Sequence, residues 1–311
     1  MASLDVSVIV ITKNESEVIE QCLTSSFNQS LKPLEVIVVD GRSTDDTLRK
    51  ASQFPVKILV EREPTSPSNA RNLGVQNSKG EVMLIMGADT RLDRDCLKNA
   101  IKYFQDENII VVIPSQEVEI HTYLEKIQAN WFYGTRNPIR STYGAGSSIN
   151  FVRRNVYNAV KFDPSLGYGD DGDFRRRLRK QYKSGKILKA PDSKVFIDIP
   201  HSFAELLSQY TWYGRTFLKY FSKYPFTTAF FGLCSLLMPA IFLIICFTTI
   251  ILPATFPLVI IVLVPLMARN IIACYRSKSL HLFEFILFEF ARSLFFVYGI
   301  IQGFFVKKIG R

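Results

Sequence analysis

Cysteine is scarce in this chain and shows no pairing. Five occur in 311 residues, at Cys22, Cys96, Cys234, Cys246 and Cys274, and three of them lie in apolar stretches. No CxxC spacing is present, which argues against structural disulfides and a cysteine-built zinc site and fits a reducing compartment. A secretory leader is not expected either: the apolar run Val6–Ile11 is too short, and Asp5 interrupts its basic flank. The first half has no dense basic stripe with interleaved aromatics, so no nucleic acid is expected as partner. The apolar segments are too few to enclose a polymer-conducting channel unaided.

The formal net charge is +10, half of it from Phe226 onward. A modestly basic soluble part followed by a basic, apolar tail suits the face of an anionic membrane. The apolar residues, 48% of the chain, are in excess almost only after Tyr224.

The first part alternates strand and helix signals. Strands are predicted at Val6–Ile11, Glu35–Val39, Val56–Val60, Val82–Met86 and Ile109–Ile113, with helices at Glu15–Phe27, Thr44–Ser52, Pro67–Gln76 and Asp93–Phe104 between them. This order implies an α/β fold with a mostly parallel, doubly wound sheet. Two of the apolar strands each deliver a carboxylate onto a small-residue turn. Val36–Val39 leads to Asp40 and then Gly41, and Val82–Met86 leads through Gly87 and Ala88 to Asp89. Ligands of open α/β sheets bind at the carboxyl ends of strands, so two such acids point to a nucleotide and metal site.

Further on, a helix and loop rich in aromatics runs from Glu117 to Gly144, and Gly144–Ser148 reads as a turn into a strand at Ile149–Val152. A short helix follows at Arg153–Val160, then an acidic, glycine-rich loop at Gly167–Gly172, a helix at Asp173–Tyr182 and a strand at Lys194–Ile199. The domain boundary is placed at residue 200, so that 1–200 form the α/β domain. Residues 201–225 form an amphipathic interfacial helix, and 226–311 form a membrane domain.

In that last region, 226–252 carries no charge and is long enough to cross about 30 Å of hydrocarbon. A second span is expected at 256–275. The third apolar segment, 281–306, contains Glu284, Glu289 and Arg292 and is read as spanning or as interfacial, because charges in mid-bilayer are costly. Lys219, Lys223, Arg276 and Lys278 flank the first two segments on the side of the α/β domain, while the Pro253–Pro257 turn has no basic residue. The expectation is therefore a multi-pass cell-membrane protein with its α/β domain in the cytoplasm.

The stretches Ser7–Glu15, Glu35–Thr47, Ala70–Arg71–Asn72–Leu73–Gly74, Gly80–Asp89 and Gly169–Asp173 together resemble the inverting family 2 glycosyltransferases of GT-A fold. The resemblance covers roughly residues 5–215 and rests on all these motifs in order. It implies a nucleotide-sugar donor and a lipid-linked or polyprenyl-phosphate acceptor. It also implies the roles of particular residues. Thr12, Asn14 and Glu15 line the base pocket and Asp40 accepts a hydrogen bond from base or ribose, with a helix first-turn role as the other reading of Glu15. Arg71 sits near the diphosphate or the acids, or faces solvent. Asp45 and Asp46 are helix-start acids.

Asp89, after Ala88, matches the last acid of the family's Asp-x-Asp metal motif, but Gly87 replaces the first. Mg²⁺ or Mn²⁺ then rests on one carboxylate and the diphosphate oxygens, which suits ions that keep several waters. His201 is a second candidate ligand, or a structural histidine near the membrane. Asp171, preceded by Asp170, matches the acid of the family's Glu-Asp loop and is assigned as the base that activates the acceptor, a task helped if neighbouring acids raise each other's pKa. Arg175 and Arg179, four apart on one helix, face acceptor phosphate, lipid headgroups or solvent. Gln209, Trp212, Tyr213, Gly214 and Arg215 belong to the interfacial helix, facing the acceptor or the membrane. A second function fits the missing acid at position 87: a catalytically inactive nucleotide-binding scaffold of a glycan-assembly complex.

Overall fold

The computed structural model describes residues 4–135, 149–225 and 228–305. The Gly144–Ser148 turn lies outside them. The chain divides into two compact units. One takes in the described residues of 1–119 and 144–199, the other those of 120–143 and 200–307. The segment from Ile120, expected in the first domain, groups with the C-terminal helices.

The elements run β1 (Val6–Thr12), α1 (Ile19–Phe27), β2 (Glu35–Asp40), α2 (Thr47–Ala51), β3 (Lys57–Val60), α3 (Pro67–Gln76), β4 (Val82–Gly87), β5 (Thr90–Leu92), α4 (Cys96–Tyr103) and β6 (Ile109–Val118). After α5 (Tyr123–Thr135), which belongs to the second unit, come β7 (Asn150–Arg153), α6 (Arg154–Ala159), α7 (Asp170–Gln181) and β8 (Lys186–Ile197). The strands form one sheet in the order β3-β2-β1-β4-β7-β6-β8-β5.

Alternation along β1 explains how the sheet is covered. Val8 and Val10 join one buried cluster with Cys22 and Leu23 of α1 and Leu97, Ala100 and Ile101 of α4. Ile9 points the other way, into a cluster with Ala70 and Val75 of α3, Val156 of α6 and Phe174 and Leu178 of α7. Successive side chains of a strand face opposite sides, so an unbroken apolar strand needs helices on both.

The sheet is mixed: among the described residues four of its seven pairings are parallel, β6–β8 among them, and three are antiparallel. β3, β2, β1 and β4 are parallel, but β7 is antiparallel to both β4 and β6, and β5 is antiparallel to β8. An apolar run has the same composition in either direction, so the pattern of residues leaves strand polarity open. Helix α3 starts where expected because Ser66 caps it, accepting from the Asn69 amide, and Pro67 occupies its first turn. Helix α7 starts earlier than expected, at Asp170. Gly169 turns the chain at φ 77°, and three aspartates fill the first helical turn, where the helix dipole favours carboxylates.

The second unit consists of α5, α8 (Phe203–Lys223), α9 (Thr228–Ile251), a 3₁₀ turn at Pro253–Thr255, α10 (Phe256–Ser277) and α11 (Leu282–Phe305). Helix α8 opens with a capping box: Ser202 accepts from the Glu205 amide, and Glu205 accepts from the His201 amide. It packs closely along α11. A Cβ at Gly214 would lie 1.9 Å from the Phe296 carbonyl oxygen, and one at Gly299 would lie 2.0 Å from that of Thr211. The helix expected at the membrane interface buries one face, with Leu206, Tyr210, Trp212, Phe217 and Tyr220 inside, and exposes Phe203, Ser208, Lys219 and Lys223.

Of the three apolar segments, one helix, Pro253–Ser277, is long and apolar enough to cross a membrane among the described residues. In the first segment the described apolar stretch is Leu237–Ile251, which is short of that length. The third, α11, carries Glu284, Glu289 and Arg292 and buries the last two against its neighbours.

Candidate active site

The parallel strands bring their carboxyl ends into one row. Thr12 pairs with Asp40 across β1 and β2, Asp40 pairs with Val60 across β2 and β3, and Ile11 pairs with Gly87 across β1 and β4. Thr12, Asp40 and the Gly87–Ala88–Asp89 turn are thus neighbours by register, as the sequence motifs require.

The loops above this row are stitched together. Asp40, fully buried, accepts from the Ser43 amide and hydroxyl. Asn14 adopts φ 55°, its side-chain oxygen accepts from the Thr44 amide, and its own amide donates to Ser43. Asp45 accepts from the Ser16 and Thr47 amides, and Thr47 accepts from the Glu15 amide. Asp45 is thus a loop clasp. Although burial pushes its pKa upward, the hydrogen bonds from Thr47 and Ser16 prevail and hold it at about 2. Because α1 begins only at Ile19, Glu15 precedes the helix, and the first-turn acid is Glu20. The first-turn reading of Glu15 is corrected accordingly. One atom in this row has no partner among the described residues: the buried hydroxyl of Thr12.

Asp89 is exposed, and Ala88 beneath it is buried with its amide on the Ile11 carbonyl. A Cβ at Gly87 would lie 2.3 Å from the Asp89 Oδ1. An acid at position 87 would therefore require the exposed Asp89 carboxylate to swing aside. Backbone pairing adds a residue that the sequence did not mark: the Asp198 amide, just past β8, donates to the Asp89 carbonyl at 2.9 Å. The Cys22 thiol lies 3.9 Å from the Gly87 carbonyl. Burial pushes its pKa up, and the charges of Asp89, Glu15 and Asp198 push it further. Among the described residues no group of three or more His, Cys, Asp or Glu is gathered to hold a metal ion.

Glu61 was missed, although it obeys the rule that selected Asp40 and Asp89. It follows directly on β3, its amide donates to the Asp40 carbonyl, and its carboxyl is buried, accepting from the Ser66 amide. Burial, with Asp40 and Glu63 nearby, raises its pKa to about 7 against the opposing Ser66 amide and Lys13.

The second group of acids sits on α7 and is held by α3. Arg71 is buried and forms an ion pair with Asp170, which also accepts from the Ser68 hydroxyl at 2.9 Å. The Arg71 guanidinium lies 4.9 Å from the centre of the Phe162 ring, and Phe162 stacks on Phe174 of α7. Asn72 grips the same segment, accepting from the Phe162 amide and the Tyr157 hydroxyl. The Ala-Arg-Asn motif thus sets the sheet face, the acid pair and the loop before α7 with successive residues. The solvent-facing reading of Arg71 is corrected, and of its two expected neighbours the structure shows the acids.

Asp171 accompanies Asp170 on the first turn. Arg175, one turn on, brings its guanidinium to 3.9 Å from Asp171. Arg175 therefore turns inward to an acid, while Arg179 is exposed. Arg177 is taken up by Asp173. Burial raises Asp170, with Asp171 adding to it against the pull of Arg71. Burial also acts upward on Asp171, but the hydrogen bond from Asp170 and the Arg175 and Arg71 charges outweigh it, and its pKa falls below the usual carboxylate value. The mutual rise expected of the pair therefore falls on one member. Asp171 therefore ionises at lower pH than Asp170.

His201 belongs to the second unit, where its Nδ1 contacts the buried Glu125, which also accepts from the His121 and Thr122 amides. Trp212 is buried on α8, and Gln209 and Arg215 are half-buried.

An α/β sheet with carboxylates and an unfilled hydroxyl at its strand ends is a ligand-binding domain of the open, doubly covered type. Residues 7–160 match the family model described as Glycosyl transferase family 2. A dolichyl N-acetyl-alpha-D-glucosaminyl phosphate 3-beta-D-2,3-diacetamido-2,3-dideoxy-beta-D-glucuronosyltransferase of Methanococcus voltae is 33% identical over 108 residues, covering 32% of this chain and 34% of that protein. The glycosyltransferase AglE of Haloferax volcanii is 31% identical over 114 residues, covering 34% and 38%. The chain thus matches about a third of the length of these relatives. A crystal structure of S. aureus TarS in complex with UDP aligns with a TM-score of 0.49 at 20% identity, over 69% of this chain and 66% of that one.

Proposed function

We propose that the protein transfers a sugar, with inversion, from a nucleotide-sugar donor to a lipid-linked or polyprenyl-phosphate acceptor at the cytoplasmic face of a membrane. The observation that carries this reading is the pairing of two acid sites in one unit. Carboxylates stand at the strand ends, and an ionised Asp171 is held on α7 by the Asp170–Arg71 anchor. Thr12, with its unfilled hydroxyl, together with Asn14, Glu15 and Asp40 binds the base and ribose. Asp89 meets the diphosphate, and Asp171 accepts the proton of an acceptor hydroxyl, as inversion requires a base opposite the leaving group.

A Mg²⁺ or Mn²⁺ ion fits at Asp89, an exposed hard oxygen donor whose remaining partners would come from the diphosphate. When bound, such an ion neutralises charge on the departing nucleoside diphosphate. The lipid acceptor is supported by the archaeal relative whose name specifies a dolichyl phosphate-linked sugar, and by the apolar helix Pro253–Ser277. Membrane attachment through more than one helix, with the basic residues Lys219, Lys223, Arg276 and Lys278 on the cytoplasmic side, completes the proposal.

The test is a screen of nucleotide sugars and Mn²⁺ against the detergent-purified chain with mixed lipid extract, read by calorimetry and mass spectrometry. Metal-dependent transfer that is lost in Asp89→Ala is expected. Donor binding without transfer, unchanged in Asp89→Ala, would instead describe the inactive scaffold.

A further inference from the structure

The second unit sets two arginines, Arg269 and Arg292, against one buried glutamate, a charge cluster that the proposed chemistry does not use. Its sequence range carries four glutamates. Three of those glutamates are engaged elsewhere: Glu125 with His201 and the amides of His121 and Thr122, Glu205 in the α8 capping box, and Glu284 with Tyr123 and His281. Only Glu289, fully buried on α11, faces the arginines of the helix interior. It accepts from Trp131 Nε1 of α5 at 3.1 Å and from Asn270 Nδ2 of α10 at 2.8 Å, and it contacts Arg269 of α10.

Arg292 stands one turn along from Glu289 and is 94% buried by its 6% exposure. Its guanidinium stays 3.9 Å from the carboxylate and lies 3.9 Å from the centre of the Trp131 ring. Its Nε and the hydroxyl of the fully buried Ser293 beside it have no hydrogen-bond partner among the described residues. Both guanidiniums therefore lie against one carboxylate, and the Arg292 Nε and Ser293 hydroxyl are left over. A buried charge without compensation is unfavourable, whereas guanidinium groups suit multidentate phosphate contacts. The side chain of Arg269 is 21% exposed, so the cluster reaches the surface at that edge. The helices around it display apolar side chains outward, among them Ile272, Phe283 and Leu287.

We infer that Arg292, Arg269 and Ser293 form a binding site for a phosphate group carried on an apolar chain, with Glu289 holding the two arginines in place when no phosphate is present. The inference rests on the reading of a lipid-linked acceptor and names the contact that the second unit makes with it. Glu289 and Trp131 act here as positioning residues.

The test uses the full chain in detergent micelles, with farnesyl phosphate, farnesol and inorganic phosphate titrated separately. Farnesyl phosphate is expected to bind at least tenfold more tightly than either control. Arg292→Gln should weaken it at least tenfold. Glu289→Gln, which removes the negative charge competing with phosphate for the two arginines, should tighten it at least threefold while lowering the thermal midpoint. A merely structural cluster would not give that opposite pair of changes. If both variants lower the midpoint and leave farnesyl phosphate affinity unchanged, the inference is overturned. Competition by phosphatidylglycerol vesicles as strong as by farnesyl phosphate supports the site and assigns it to bulk headgroups. Nucleotide-sugar binding, measured on the same samples, separates the two readings. Its presence without farnesyl phosphate binding sinks this inference alone, and its absence sinks the proposed transfer.

Discussion

Arg71 and Asp170, ninety-nine residues apart in sequence, form a buried ion pair that joins the helix after the third strand to the helix carrying the acid pair. The guanidinium is held between that carboxylate and the face of Phe162, so both its charge and its flat surface are used.

Arg71→Ala leaves Asp170 buried without its cation. Removing one partner of a buried pair costs about 3–5 kcal/mol. Urea unfolding of the variant should show a loss of that order at pH 8. The deficit should shrink toward pH 5, because Asp170, already raised by burial, escapes the penalty by taking up a proton. A deficit independent of pH would contradict the assignment.

Glu61 predicts a second pH effect. Its folded pKa is raised to about 7, so its contribution to stability is present below the unfolded value of roughly 4.3 and is lost as pH rises through 7. Glu61→Gln should flatten the stability profile between pH 5 and 8 and make the variant the more stable of the two at pH 8. Thermal melts across that range check the sign.

Asp171→Asn separates acceptor types. Loss of a general base lowers transfer to a sugar hydroxyl by about 10²–10⁴-fold. A phosphate acceptor, with a second pKa of about 6, is already ionised at neutral pH and should lose much less. Single-turnover assays with both acceptors give the comparison, and near-normal transfer to a hydroxyl would refute the role.

Gly299→Ala tests the α8–α11 crossing. In an exposed helix the change would stabilise by about 1 kcal/mol. Here the added carbon would meet the Thr211 carbonyl, so a loss of roughly 1–3 kcal/mol or more is expected from overpacking. The sign of the shift in thermal midpoint decides.

The strand ends were readable because an apolar run followed by an acid and a small-residue turn is a local pattern, and Asp40 and Asp89 lie where that pattern places them. Glu61 obeys the same pattern after Val60 and was available to the same reasoning. Helix α3 was equally legible, since Ser66 and Pro67 act on their own neighbours. The polarity of β7 was not legible, nor was the closeness of Asp198 to Asp89, because both depend on which strands pair. The packing of α8 on α11 was not legible for a related reason: Trp212 and Tyr210 look alike whether they face a membrane or another helix, and Gly299, which brings α11 close, lies 87 residues beyond Trp212.

By itself the amino-acid order determined the alternation of buried strands and covering helices and the acids at the strand ends, because these follow from side-chain period and local turn chemistry. The tertiary structure decided how the charges are distributed: Arg71 on Asp170, Arg175 on Asp171, and two arginines around Glu289. Which opposite charges meet, and which carboxyl keeps its proton, depends on burial and distance between remote segments, and only the folded chain sets those.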